Sequence, residues 1–449
     1  MKAGFYTLGC KLNQSETEAL ADAFRRAGHV VVGAGDEADF YILNTCTVTS
    51  KSEQKARRVV RKILADFHAP VILTGCYAEV EKDRLTAEFG SGIFVAGMRE
   101  KPLLADLAVF LAGRAGAGSC AAALAAFFSG IPAGVRGGEF CLSAARYSFH
   151  TRAFLKIQNG CDRRCSYCRV CIARGPSVSL EMEEVLRRFR GLEAAGYREV
   201  VLTGVNLMAY RSGAAGLAGL LERLLSGGGE GRARIRLSSL EPEGITESLA
   251  GILSHPRVCP HFHLPVQSGS DSVLRAMRRP YTADVALEAV KLLRAVKPGA
   301  FIAADIITGF PGESDEDHLM TENLIRGIDP AALHVFPFSR RPGTAAWDMG
   351  GRAPDRVVRE RAAALRGLCG EGRMRYMACQ VGRGLEVIVE KTNPGGDWEG
   401  LSENYMRVRG RESPCGGQAP VFPGAVLRVK IRDAREDFLV GVLDNPAGN

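Results

Sequence analysis

Apolar and polar positions change their period along the 449-residue chain, and the changes divide it into segments. Over about residues 1–112, apolar runs (KAGFYTLG, HVVVG, DFYILNT, PVILTG and IFVAG) alternate with stretches of helical period around ETEALADAFRRAG, a basic run after LNTCTVT, and EKPLLADLAVFLAG. Strands separated by helices predict an α/β layer with a parallel sheet. Residues 113–148 are rich in Ala and Gly without a sustained period, and read as a linker with one short helix at AAALAAFF. From about 149 to 370 the strand-then-helix alternation returns, with strand-like runs AFLKIQ, EVVLTG, IRLSSL, HFHLPV, FIAADIITG and ALHVFPFS. Six parallel strands joined by helices fit a partial (β/α) barrel or an open wound sheet, and either form places its reactive face at the strand C-termini. Residues 378–444 then alternate at period two in VGRGLEVIVEK, ENYMRVRGR, AVLRVKIRD and FLVGVL, with turns at NPGG and FPG, which predicts a small antiparallel β-barrel.

Two sets of cysteines sit at strand ends. Cys10, Cys46 and Cys76 each follow a separate strand of the first segment, beside Gly or Asn/Thr. Strand C-termini of a parallel sheet share one edge, so three thiolates can meet there; buried free cysteine is the plainer alternative. Cys161, Cys165 and Cys168, spaced C-x3-C-x2-C in QNGCDRRCSYC, lie in the loop after the first strand of the central segment. Three thiolates hold three corners of a cubic iron–sulfur cluster and leave one iron open to a small molecule, whereas electron carriers take four. Zinc remains an alternative for C-x2-C pairs, and Cys171 extends the run to a spacing that could close a four-thiolate cluster. Cys120 and Cys141 fall in the linker and read as incidental.

Composition narrows the setting more than the chemistry. With no signal-peptide pattern and no uninterrupted apolar run long enough to span a bilayer, the chain reads as cytoplasmic without membrane association. Thirteen cysteines there read as thiols and metal ligands rather than disulfides. A net charge of +8 permits nucleic-acid binding without demonstrating it.

Charge placement is more specific than the total. Lys51, Lys55, Arg58 and Lys62 form one stripe of the helix after Cys46, with Val59, Val60 and Ile63 on its buried side. Arg428, Lys430 and Arg432 share one face of a barrel strand, and Arg407, Arg409 and Arg411 repeat the arrangement. Each set is either a solvated face or a contact for an RNA backbone.

The ordered motifs TLGCKLNQSE, LNTCTVT, LTGCYAE, KIQNGCDRRCSYC with ARG at 173–175, LTGVN, SSLEPEG, HLPVQSGSDSVLRAMRRPYT, TGFPGE, HVFPFSRRPGTAA and SENYMRV resemble those of the methylthiotransferases. These are radical S-adenosylmethionine (SAM) enzymes built as an N-terminal cluster domain, a central radical-SAM domain and a C-terminal TRAM barrel, and the resemblance covers nearly the whole chain apart from the linker. It implies an auxiliary 4Fe–4S cluster on Cys10, Cys46 and Cys76, a radical-SAM 4Fe–4S cluster on Cys161, Cys165 and Cys168, and SAM as co-substrate. It further implies tRNA as partner, together with an electron donor and a sulfur source that the sequence does not identify.

Gly9-Cys10-Lys11-Leu12-Asn13-Gln14 looks most like the branch that methylthiolates C2 of N6-threonylcarbamoyladenosine beside the tRNA anticodon. The alternatives are isopentenyladenosine in tRNA or a ribosomal-protein aspartate; a noncatalytic iron–sulfur protein that binds RNA or senses redox state is the rival of another class. Gly204, Asn206, Ser238, Glu241 and Gln267 are candidate SAM contacts at strand ends, set against turn and helix-cap roles for the same residues. TGFPGE lacks the Lys-Ser/Thr ending of a phosphate loop and reads as a turn. One departure from the family is Cys171, where a Pro is usual. It predicts a looser loop and a thiol packed as a small hydrophobe.

Overall fold

Strands β3 (Phe40–Thr45) and β4 (Val71–Gly75) are buried at every position, so helices must cover both of their faces. The computed structural model describes residues 1–114, 119–132, 137–226, 233–411 and 421–444. With β1 (Lys2–Thr7), β2 (Val30–Gly33) and β5 (Ile93–Ala96) these strands form a sheet that is parallel throughout, in the order β2-β1-β3-β4-β5. Helix α1 (Lys11–Arg26) packs Leu20 and Phe24 on one face, while α2 (Ser50–Asp66) packs Val60 and Ile63 on the other. After β2 the chain crosses back over β1 to β3, so a crevice opens at the C-terminal ends of β1 and β3. The Thr49 hydroxyl caps α2 at that edge, within a reciprocal capping box with Ser52.

The segment read as a linker does more than connect, although its residues 115–118 and 133–136 lie outside the described ones. Helices α3 (Cys76–Val80), α4 (Lys82–Phe89) and α5 (Leu104–Ala112) are followed by α6 (Cys120–Ser129), which is docked on the α1 face of the sheet. There Phe128 stacks on Phe94 at 5.0 Å between ring centroids. Ala123 and Leu124 are buried in the contact, with Phe127 and Phe128 packed partly buried beside them.

The central segment folds into six parallel strands in sequence order: β6 (Ala153–Lys156), β7 (Glu199–Thr203) and β8 (Arg234–Leu237) in one sheet, β9 (His261–Gln267), β10 (Phe301–Thr308) and β11 (Ala332–Pro337) in the next. A parallel bridge from Ile235 to Val258 joins the two halves into a partial barrel. Helix α1 ties the N-terminal sheet to it: Ser15 Oγ donates to the Phe154 carbonyl, and Glu18 accepts from the Ser148 and Phe149 amides.

The C-terminal strands, β12 (Gly384–Thr392), β13 (Asp397–Ser402), β14 (Arg407–Arg411), β15 (Val426–Ala434) and β16 (Leu439–Leu443), close into a barrel in the order β12-β13-β14-β16-β15. One expectation is corrected here: the β14–β16 pair is parallel and the others are antiparallel. An odd number of strands around a closed ring cannot alternate direction everywhere, so at least one seam must be parallel. Among the described residues, no helix is long and apolar enough to cross a membrane.

Candidate active site between two cysteine sets

Three of the six cysteines follow a glycine in the left-handed region: Gly9 (φ +117), Gly75 (φ +94) and Gly160 (φ +68). These turns end a strand or ribbon and swing the next residue over its edge. A Cβ on Gly75 would lie 2.4 Å from the Thr45 carbonyl oxygen, and one on Gly160 only 1.8 Å from that of Pro176. Gly160→Ala therefore combines backbone strain with a backbone clash. It is expected to lower stability by about 1–3 kcal/mol, read by thermal unfolding, and to lower iron content after reconstitution.

Cys10, Cys46 and Cys76 come close enough at the crevice for their sulfurs to influence one another. Burial, then the neighbouring Cys76 and Cys10 sulfurs, push the Cys46 thiol up to about 12. In the central domain, desolvation and the sulfurs of Cys165, Cys171 and Cys161 raise Cys168 to about 12. Thiols that oppose each other's ionisation suit a bound cation, because soft metals take them as thiolates and supply the missing positive charge. Both sets therefore fit iron–sulfur ligation by donor type and by charge.

Cys161, Cys165 and Cys168 border a cavity of about 520 Å³, a size that accommodates a small-molecule cofactor. Cys171 borders it too. Its thiol is aimed at the Cys168 carbonyl from α7 (Val170–Arg174), so it is not packed away as a small hydrophobe. Nor is the run loose: the Ile172 and Ala173 amides both donate to the Arg169 carbonyl.

The candidate SAM contacts divide. Ser238 is buried with its hydroxyl unpartnered among the described residues, and it remains open to a ligand. Glu241 makes no cap bond; its carboxylate pairs with Arg279, whose Nη1 also donates to Cys165 Sγ at 3.3 Å. Asn206 Oδ1 accepts from the Met208 amide and caps a short 3-10 turn, and its own amide bonds Gln158. Gly204 lets Gln158 approach closely, since a Cβ there would lie 2.9 Å from Gln158 Oε1. Both residues thus carry structural duties of the kind that compete with cofactor contact.

Gln267, with φ +68 at the end of β9, borders a second cavity of about 190 Å³. Thr47 and Val48 wall it from the N-terminal domain, directly after Cys46; Cys168, Phe336 and Phe338 wall it from the barrel. Cys168 and the residues directly after Cys46 thus border one aromatic-lined cleft.

Sequence reasoning missed the arginines that touch the sulfurs. Arg279 lies in the motif AMRRPYT and Arg174 in ARG, and Arg174 Nε donates to Cys76 Sγ at 3.2 Å. The motifs are visible in the chain, but the contacts need the docked domains.

The basic sets also divide. Lys51, Lys55, Arg58 and Lys62 are exposed on α2 and, like Arg428, Lys430 and Arg432 on β15, make no ion pair among the described residues. Arg407 and Arg409, by contrast, pair with Glu399, and Arg411 with Asp397, across the β13–β14 ladder. The expected basic face of β14 is therefore largely neutralised by the acids opposite.

Two family models match the chain, the Radical SAM superfamily over residues 155–325 and Uncharacterized protein family UPF0004 over residues 2–97. A threonylcarbamoyladenosine tRNA methylthiotransferase MtaB of Treponema pallidum is 39% identical, with 95% of this chain and 97% of the relative covered. The chain belongs to the radical SAM tRNA methylthiotransferase family. Another member, the MtaB of Bacillus subtilis, is 34% identical over 96% of this chain and 93% of its own length. A tRNA-2-methylthio-N(6)-dimethylallyladenosine synthase of Geobacter metallireducens is 32% identical over 97% of each chain. Among solved structures, the radical S-adenosylmethionine methyltransferase TsrM of Kitasatospora setae shares the fold, with TM-score 0.53 and 17% identity over 77% of this chain and 76% of that one. As a radical SAM methylthiotransferase, the chain uses SAM and 4Fe–4S clusters.

Proposed function

We propose that this chain replaces the C2 hydrogen of N6-threonylcarbamoyladenosine in tRNA, in the cytoplasm, with a methylthio group, drawing on an external electron donor and sulfur source. The observation that carries the reading is an aromatic-lined cleft bordered by Cys168 on one side and by the residues following Cys46 on the other. An aromatic C–H has no acidic proton for a carboxylate to remove, so the reaction calls for radical chemistry. When bound, the two clusters and SAM would supply the radical that removes this hydrogen and the methylthio group that replaces it.

The chain's own residues position and enclose. Cys10, Cys46 and Cys76 would hold the auxiliary cluster and Cys161, Cys165 and Cys168 the other. Ser238 offers a free hydroxyl to SAM, and Arg279 links Cys165 to Glu241. Phe336 and Phe338 would give the base an aromatic wall to stack on.

Lys11 supports the threonylcarbamoyl branch. That substituent ends in a carboxylate, whereas an isopentenyl group is apolar. The Lys11 ammonium makes no hydrogen bond or ion pair among the described residues, and it lies 5.2 Å from the centroid of the Tyr405 ring, which Arg152 and Arg236 also flank. Burial first, then Arg236 and Arg152, lower its pKa to about 7; the charge of Glu199 and then that of Asp305, which borders the cleft, act back on it.

Nucleoside mass spectrometry of tRNA from cells lacking the protein tests the reading. The methylthiolated form should disappear while unmodified threonylcarbamoyladenosine accumulates; an unchanged profile would sink it. Lys11→Gln is expected to lower turnover of threonylcarbamoyladenosine tRNA by roughly 10- to 100-fold, the worth of one hydrogen bond to a charged group. An equal rate in the variant would remove Lys11 from substrate recognition.

A further inference from the structure

Arg174 ends α7, the short helix that starts directly after the Cys168–Arg169 turn. Its side chain is fully buried, and all five of its N–H donors are used. Nη1 donates to Glu16 Oε1 (2.8 Å) and Asn159 Oδ1 (2.9 Å), Nη2 to Asn13 Oδ1 (2.7 Å) and Glu16 Oε2 (3.2 Å), and Nε to Cys76 Sγ (3.2 Å). These partners come from α1, from the stretch before Cys161, and from the first turn of α3. One guanidinium therefore joins the loop of one cysteine set to a thiol of the other.

The charges do not balance. Glu16 is also bound by Lys101 and Lys156, both buried, and among the described residues neither cation contacts a second carboxylate. Burial alone would raise the Glu16 carboxyl, but Arg174, Lys101 and Lys156 together hold it well below the usual carboxylate range. Three buried cations around one carboxylate leave positive charge uncompensated, and burying unpaired charge is costly. An anionic group at Cys76 offsets it, and a thiolate-ligated iron–sulfur cluster is such a group.

We infer that Arg174, backed by Lys101 and Lys156, is a positioning residue that raises the reduction potential of the cluster bound at Cys76 and locks that ligand to the radical-SAM loop. The inference rests on the proposed ligation of the auxiliary cluster by Cys10, Cys46 and Cys76. Its physical basis is that an N–H···S bond and nearby positive charge favour the reduced, more negative state of the cluster. The couple takes up one electron, supplied in the test by dithionite, with no proton required.

The test uses the full chain with Cys161, Cys165 and Cys168 replaced by Ala, so that only the auxiliary cluster titrates. After anaerobic reconstitution, a mediator-buffered reduction followed by electron paramagnetic resonance compares Arg174 with Arg174→Gln and Arg174→Lys. Arg174→Gln should keep its iron and show at least a tenfold lower ratio of reduced to oxidised cluster at a fixed potential, equal to about 59 mV for one electron. Arg174→Lys, which keeps charge without the planar donor set, should shift in the same direction by less. Lys156→Gln covers the case in which the Arg174 variants fail to fold, since Lys156 touches Glu16 and not Cys76, and it too should lower the ratio. Unchanged midpoints in iron-loaded variants, or loss of iron in Arg174→Gln with an unmoved Lys156→Gln midpoint, would leave Arg174 a purely structural residue and overturn the inference. A parent that binds no iron would instead overturn the ligation on which it rests.

Discussion

Replacing Cys161, Cys165 and Cys168 together with Ala is expected to leave about half of the roughly eight irons of the reconstituted wild-type chain and to abolish reductive cleavage of SAM. The reason is spatial separation. The three sulfurs border their own cavity, while Cys10, Cys46 and Cys76 meet at the crevice of a different sheet. Cys46→Ala should therefore keep some SAM cleavage while losing methylthio insertion altogether. Iron analysis and quantification of 5′-deoxyadenosine separate the two. Full iron in the triple variant, or equal loss of cleavage in both, would contradict separate sites.

Neutralising Lys51, Lys55, Arg58 and Lys62 together is expected to weaken tRNA binding strongly and to flatten its salt dependence by about one unit of slope for each phosphate that the variant no longer neutralises. These four cations make no ion pair among the described residues, and α2 begins at Ser50, next to the wall of the cleft at Thr47–Thr49. Like charges at this spacing repel one another, a cost that a bound polyanion removes. Arg428, Lys430 and Arg432 should give a smaller effect of the same kind, because they sit on the separate C-terminal barrel. Arg407, Arg409 and Arg411 should give the least, since Glu399 and Asp397 already pair with them. Binding isotherms at several salt concentrations, on variants with wild-type iron content, give the order. The reverse ranking would move the RNA path to the barrel.

The features legible in the sequence are those set by local pattern. DFYILNT and VILTG announce central strands because both of their faces are buried, and the Gly-Cys step marks a chain turning over a strand end. The C-x3-C-x2-C run likewise needs no tertiary information. What escapes depends on partners far along the chain. Arg174 reaches Cys76 across 98 residues, and that contact exists only once α7 docks on the N-terminal domain. The Arg407–Arg411 face looks basic in sequence because cross-strand register is invisible in one strand; Glu399 and Asp397 face it only after β13 and β14 pair. Asn206 shows the opposite limit. Its motif suggests a ligand contact, while its side-chain oxygen serves a local cap, the simpler role open to an Asn at a strand end.

The most direct test of the central claim uses the reconstituted enzyme, SAM, a reductant and two tRNA substrates, one carrying N6-threonylcarbamoyladenosine deuterated at C2 and the other similarly labelled isopentenyladenosine. The account predicts that 5′-deoxyadenosine acquires deuterium from the first substrate, that the same nucleoside gains one methylthio group, and that the second substrate yields little of either. Unlabelled 5′-deoxyadenosine with no methylthiolated product from the first substrate, or product from isopentenyladenosine alone, would contradict it.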